Sequence, residues 1–345
     1  MTEFASILLE WYDLNKRDLP WRSTNDPYEV WISEIILQQT QVIQGIGYYE
    51  KFLKAFPNVR RLAAASEDQV LKMWEGLGYY SRARNLHAAA KSVVNDFDGV
   101  FPSTYKDIIA LKGIGPYTAA AIASISFGLP HAVVDGNVYR FLSRFYGIET
   151  PIDSTIGKKE FTALANELLD RSAPAAFNQA LMEMGALVCK PKNPQCQVCS
   201  FNAGCLAVGR NLVDKLPVKT KKVKQRVRFF HYIYVVNEDK VYIERRSGND
   251  IWKGLYQLPL IESDVEMETE EVNRQLGCKS IFISKKKHIL SHQIIYAQFY
   301  AVLRDGGDLF NGNKYQAITI DELDSYAFPQ LIVDFFNEKT NIKAE

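Results

Sequence analysis

Apolar side chains recur at helical spacing through residues 1–205. In Tyr28–Ile46, positions Val30, Trp31, Ile35, Leu37, Val42 and Ile46 fall near one broad face, which predicts amphipathic helix. Thr118–Ile125 is a run of small and β-branched residues, suited to a helix packed closely on its neighbours. Asp26-Pro27 and Phe101-Pro102-Ser103 read as turns or helix starts, since a carboxylate can cap free N–H groups and proline's fixed φ suits a first turn. No convincing period-two alternation interrupts this stretch, which is read as about ten helices.

The pattern changes further along. Phe229–Val236, Val241–Arg245 and Gln293–Leu303 are rich in Ile, Val, Tyr and Phe and predict strands. A polar helix is predicted over Asp264–Leu276, stopped by Gly277, and a short one over Gln330–Asn337. The fold class is therefore multidomain, with an all-α domain over 1–205 followed by an α+β domain over 229–345. Residues 206–228, where Pro217 stands among lysines, are the predicted linker. No internal repeat is visible.

With 345 residues, 47% hydrophobic and 23% charged, the chain can bury two cores, and disorder or collagen-like structure is excluded. No apolar run approaches the roughly 18 residues a membrane span needs. Met1-Thr2-Glu3-Phe4 does not start like a secretory signal, so a soluble protein of a bacterial cytoplasm is expected, without a membrane partner. Net charge is only +1, but residues 206–228 hold eight Lys and Arg against the single acid Asp214. Such a strip is either a footprint for a polyanion or a solvated linker.

Four of the five cysteines fall close together, as Cys189, Cys196, Cys199 and Cys205. In an intracellular chain this argues for a metal centre rather than disulfides. The Cys-x6-Cys-x2-Cys-x5-Cys spacing leaves zinc and a 4Fe-4S cubane as the physical candidates. In Leu111–Thr118, Gly113 and Gly115 make a tight turn whose backbone N–H groups suit a phosphate oxygen, or merely join two helices.

Two carboxylates stand out. Glu34 lies in the apolar run Trp31–Leu37, where burial would raise its pKa towards the range of a general acid. Asp135 precedes Gly136-Asn137 and reads first as a helix cap. Gln39, in Gln38-Gln39-Thr40-Gln41, could enter a duplex or lie in a solvated helix end. Leu77–Arg84 mixes aromatics with Arg82 and Arg84, the combination that stacks on bases and pairs with phosphates.

Taken together, these motifs resemble the helix–hairpin–helix DNA glycosylases of the endonuclease III class, and within it the adenine DNA glycosylases. The resemblance rests on Leu19-Pro20-Trp21-Arg22, Trp31-Ile32-Ser33-Glu34, Gln38–Gln41, the hairpin at about 111–121, Val134-Asp135-Gly136-Asn137-Val138 and the cysteine loop 189–205. It implies a 4Fe-4S cluster on the four cysteines. It also implies removal of adenine opposite 8-oxoguanine or guanine in double-stranded DNA, by a monomer. Glu34 would protonate adenine N7, and Asp135 would stabilise the positive sugar or bond to it. Tyr117 and Asn137 match residues around the sugar. Trp21, Arg22 and Leu37 match the adenine pocket, and Thr40 is expected among the residues that bind substrate or DNA. Gln39 and Tyr79 match wedges around the lesion, and Gly113 and Gly115 match the DNA-binding hairpin.

Residues 229–345 resemble that family's Nudix-like recognition domain. Gly254–Gly277 lacks the Arg-Glu-x-x-Glu-Glu run that holds magnesium in Nudix hydrolases, so recognition without hydrolysis is expected. The family's lesion-reading loop usually reads Phe-Ser-His; here it is Leu290-Ser291-His292. Relatives that also cut the strand carry a Schiff-base lysine where this chain has Tyr117, so a monofunctional enzyme is expected. A binding protein with a dead glycosylase site would need Glu34 or Asp135 displaced, and both are present.

Overall fold

A computed structural model describes residues 2–220, 224–237, 239–302 and 314–342. They fall into two compact units, Met1–Ala64 with Asn85–Lys221 and Ala65–Arg84 with Lys222–Glu345. The helices in chain order are α1 (Glu3–Asn15), α2 (Pro27–Leu37), α3 (Val42–Ala55), α4 (Val59–Ala64), α5 (Glu67–Met73), α6 (Ser81–Asp96) and α7 (Tyr105–Ala110). They continue as α8 (Pro116–Phe127), α9 (Gly136–Phe145), α10 (Thr155–Leu168), α11 (Pro174–Leu187) and α12 (Leu206–Gly209).

The helix starts follow the local chemistry. Asp26 caps α2 by accepting from the N–H groups of Tyr28 (2.8 Å) and Glu29 (3.3 Å), with Pro27 in the first turn. The stretch 28–46, read from its pattern as one apolar face, is two helices. Gln39 has φ +59°, a left-handed backbone that no helix can propagate, and α3 restarts at Val42. The small residues of α8 serve as predicted: Thr118 through Ser124 are all buried, and the helix packs against α2, α7 and α11. A second cluster joins Phe4 and Leu8 of α1 to Phe141 of α9, Phe161 of α10 and Phe177 of α11.

The predicted linker is not free chain at its start. Leu216 is buried and its carbonyl accepts from Arg144 Nε at 3.1 Å. Ile152 donates to the Val218 carbonyl at 3.1 Å, and Asp153 accepts from the Thr220 N–H at 3.2 Å. Residues 206–220 therefore form a strap on the helical unit. Lys221 and Lys222 of the basic strip lie outside the described residues, and Arg226 and Arg228 belong to a strand.

The second unit contains β1 (Arg226–Asn237), β2 (Lys240–Arg245), β3 (Tyr256–Gln257), β4 (Leu260–Ser263), α13 (Thr269–Leu276), β5 (Ile281–Ile289), β6 (Gln293–Val302), β7 (Gln316–Thr319) and α14 (Gln330–Ile342). The sheet runs β3-β2-β1-β6-β5, with β4 also on β1 and β7 on β2; β1 and β6 are parallel. The predicted strands at 229–236, 241–245 and 293–303 correspond to β1, β2 and β6, whose last described residue is Val302. Leu303 lies outside the described residues. The predicted helix 264–276 begins five residues late, at Thr269, and ends on Gly277 at φ +70°. Strand β5 gave no signal because three consecutive lysines, Lys285–Lys287, mask its alternation.

The helical period of 1–205 runs through residues 65–84, yet they belong to the second unit. Lys72 Nζ donates to the Tyr326 carbonyl (3.0 Å), Glu75 accepts from the Phe328 N–H (2.8 Å), and Arg245 pairs with Glu67 (3.0 Å). Periodicity predicts a helix here but says nothing of its partners.

Candidate active site

Asp135 is a helix cap and more. Its Oδ1 accepts from the N–H groups of Asn137 (2.9 Å) and Val138 (2.8 Å), opening α9. Its Oδ2 accepts from the Asn137 side-chain amide at 2.8 Å. Burial pushes the carboxyl pKa up, while these donors and Arg140 hold it down. The carboxylate lines a cavity of about 220 Å³ in the first unit, and Glu34, Tyr117 and Asn137 line it too. Four residues far apart in sequence thus share one pocket.

Glu34 sits on α2 and is 7% exposed. Its pKa is pushed up to about 7, chiefly by burial; Asp135 adds repulsion, and the Tyr117 hydroxyl opposes the shift by hydrogen bonding. The site therefore pairs a carboxyl poised to give a proton near neutrality with a second one held by N–H donors.

Trp21, Arg22, Leu37 and Thr40 line the same pocket. One further wall residue carries chemistry that the sequence reading missed. Glu183 is buried, and its Oε2 pairs with Arg17 (2.6 Å) and Arg22 (2.8 Å). The two guanidiniums hold its pKa at about 2 against the cost of burial. Its signal, an acid inside the apolar helical run Leu181–Met184, is the one that singled out Glu34.

Other expected residues lie elsewhere. Gln39 is exposed and does not line the pocket. Gly113 has φ +82°, and a Cβ there would stand 2.6 Å from the Asn85 Cβ, so this turn requires glycine. Gly115 caps α8 ahead of Pro116. Both shape the hairpin without entering the cavity.

From the site, hydrogen bonds run on towards the cysteines. Arg140 donates to Asn137 Oδ1 (2.8 Å), to the Gly185 carbonyl (2.7 Å) and to the Cys189 carbonyl (2.6 Å). Gly185 must be small, since a Cβ there would meet the Asn137 Cβ at 2.7 Å. Cys189, Cys196, Cys199 and Cys205 line one small cavity with Phe141, Arg144 and Phe201. Arg144 Nη1 reaches Cys189 Sγ at 3.5 Å. Among the described residues no three His, Cys, Asp or Glu side chains are grouped so as to hold a single metal ion.

Comparison with known proteins decides the family. Residues 32–169 match the HhH-GPD superfamily of base excision DNA repair proteins, and residues 231–338 match the NUDIX domain. The adenine DNA glycosylase of Buchnera aphidicola subsp. Baizongia pistaciae is 36% identical over 320 residues, spanning 90% of this chain and 89% of that protein. The chain belongs to the adenine DNA glycosylase family. A thermostable thymine-DNA glycosylase structure aligns with TM-score 0.56 and 31% identity, covering 60% of this chain and 95% of that one. An endonuclease III–DNA complex shares the fold, with TM-score 0.52 and 19% identity over 61% of this chain and 99% of that one.

Family membership makes the protein a DNA glycosylase whose helical unit has the endonuclease III fold. A second pocket, of about 560 Å³, lies in the other unit. Ser291 and His292 form the tip of the β5–β6 hairpin, closed by Leu290 N–H donating to the Gln293 carbonyl at 2.8 Å. The Tyr79 hydroxyl hydrogen-bonds the Ser291 hydroxyl. Tyr79 reaches it from a left-handed backbone at φ +48°, directly after Gly78. Two residues singled out separately in the sequence thus line one pocket with Trp252 and Arg84.

Proposed function

We propose that the protein hydrolyses the N-glycosidic bond of adenine mispaired with 8-oxoguanine or guanine in duplex DNA. The observation that carries this reading is the shared pocket of Glu34 and Asp135, with the Glu34 pKa raised to about 7. The target nucleotide leaves the stack to enter the pocket. Protonated Glu34 gives its proton to adenine N7, so that the C1′–N9 electron pair departs with a neutral base. The positive charge left on the sugar is met by ionised Asp135, as an ion pair or a covalent adduct, and water then supplies the new hydroxyl. Asn137 holds Asp135 in place, Tyr117 holds Glu34, and Trp21, Arg22, Leu37 and Thr40 surround the base. Gln39 wedges into the duplex, and the Gly113–Gly115 turn offers N–H groups to a phosphate.

Cys189, Cys196, Cys199 and Cys205 are the residues to hold a 4Fe-4S cluster. Four thiols around one cavity, with the Arg144 guanidinium on Cys189, suit an anionic iron–thiolate group. When bound, the cluster would tie the 189–205 loop together. Residues 1–205 carry the chemistry except for Tyr79, which joins Ser291 and His292 in reading the lesion. The protein acts as a monomer.

The test uses duplexes with adenine opposite 8-oxoguanine, adenine opposite guanine, or thymine glycol, each followed by alkali. Cleavage of the first two and not the third is expected. No lysine is among the residues lining the pocket, so borohydride should trap no protein on DNA. Strong trapping, or activity on thymine glycol alone, would replace this reading with a glycosylase/lyase.

A further inference from the structure

Beneath the second pocket lies a buried arginine that neither the family resemblance nor the mechanism uses. Arg228, on β1, is 5% exposed. Its guanidinium spends all three nitrogens on three elements. Nε and Nη2 hold the Glu262 carboxylate of β4, each at 2.7 Å. Nη1 and Nη2 hold the Asp250 carboxylate at 2.9 and 2.7 Å. Nη1 also donates to Gln293 Oε1 at 3.0 Å. Two carboxylates facing one guanidinium are balanced by Arg246, which reaches Asp250 Oδ2 at 2.9 Å.

What matters is where these partners sit. Gln293 is the first residue of β6 and closes the hairpin that presents Ser291 and His292. Asp250 belongs to the opposite wall, Asn249–Trp252, and both Asp250 and Gln293 line the pocket. Trp252 in that wall has φ +60°, a costly backbone for a large side chain. Asp250 anchors the wall a second time by accepting from the Ile251 N–H at 2.7 Å. Arg228 thus hydrogen-bonds to both walls, to Asp250 on one side and to Gln293 on the other. A guanidinium suits the task because its planar fork fixes direction as well as charge, which an ammonium does not.

We infer that Arg228 is a positioning residue for lesion discrimination. It clamps the hairpin wall to the Asn249–Trp252 wall through Gln293 and Asp250, setting where Ser291 meets the base opposite adenine without touching DNA itself. The inference rests on the reading of the second unit as the lesion reader.

Full-length Arg228→Lys and Gln293→Met test it beside Ser291→Ala. Lysine keeps a buried cation for the two carboxylates but loses the fork; methionine keeps the volume of Gln293 and removes the acceptor. Each is assayed for single-turnover adenine release opposite 8-oxoguanine and opposite guanine, at a temperature where near-ultraviolet circular dichroism is native. Both should lose several-fold to about tenfold of the preference for 8-oxoguanine, with release opposite guanine unchanged. A merely structural arginine would lower the melting temperature and leave the preference of the folded protein intact. Folded Arg228→Lys and Gln293→Met with full preference, while Ser291→Ala loses it, would overturn the clamp alone. If Arg228→Lys does not fold, Gln293→Met decides by itself. Full preference in Ser291→Ala would bring down the lesion-reader assignment, and the clamp with it.

Discussion

Asn137 grips both oxygens of Asp135, one through its backbone N–H at 2.9 Å and the other through its side-chain amide at 2.8 Å. In the proposed mechanism Asp135 held this way cannot rotate away from the sugar, and the donors favour its ionised form against burial. Replacing the amide by a methyl group leaves the cap but frees Oδ2. Asn137→Ala should therefore bind mispaired duplex nearly normally while adenine release slows about 10- to 100-fold, the equivalent of one lost charge-assisted hydrogen bond. Single-turnover rates set against binding constants check this; equal losses in both would point to DNA binding instead.

Glu34 gives the pH dependence its sign. A general acid must be protonated, so single-turnover release should fall as pH rises through about 7, by up to tenfold per unit. Stability moves the same way. The folded pKa lies above the ordinary value of 4.5, so folding favours the neutral form, and that contribution is lost as pH climbs from 4.5 through about 7. At pH 8 Glu34→Gln should melt higher than wild type, by on the order of 3 kcal/mol of stability. An unchanged melting temperature across pH 5–8 would place Glu34 in solvent-like surroundings.

Glu183 behaves oppositely. Its pKa of about 2 means that its pairing with Arg17 and Arg22 is at full strength above the usual carboxylate range and fades as pH falls towards 2. Glu183→Ala leaves the two guanidiniums without their counter-ion at the pocket wall and should cost about 3 kcal/mol. Thermal melts at pH 7 and pH 3 check both statements, since the gap between mutant and wild type should shrink in acid.

Arg140 bridges Asn137 and the Cys189 carbonyl. Arg140→Leu should loosen both ends at once, slowing adenine release and reducing iron retained per chain. Anaerobically prepared wild type should be brown with about four irons. A colourless, active wild type holding one zinc would remove the cluster from the account.

Much of this was legible in the residues. Asp26-Pro27 started a helix, Gly277 stopped one, and the small residues of Thr118–Ile125 were buried as their size implied. Glu34 was visible because an acid in an apolar run must titrate abnormally or find a partner. Glu183 sits in the same kind of run and follows the second course. What sequence could not supply was convergence. Capping explained Asp135 completely at the local level, and only the fold put Glu34 into the same pocket. Strand β5 was hidden by its lysines, and nothing local in 65–84 reveals that Lys72 and Glu75 bond to Tyr326 and Phe328. Cutting the chain before residue 229 would consequently remove the partners of Lys72 and Glu75 and the Gly254 backbone beside Leu71, so point substitutions separate chemistry from recognition more cleanly than truncation.

The central claim is that adenine leaves because Glu34 gives it a proton. Single-turnover release from a duplex with adenine opposite 8-oxoguanine, measured at pH 6.5 for wild type and Glu34→Gln, tests this most directly. Glutamine preserves the shape of the site and has no acidic proton, so binding should persist while the rate falls by about 100-fold or more. A glutamine variant releasing adenine at close to the wild-type rate would contradict the account.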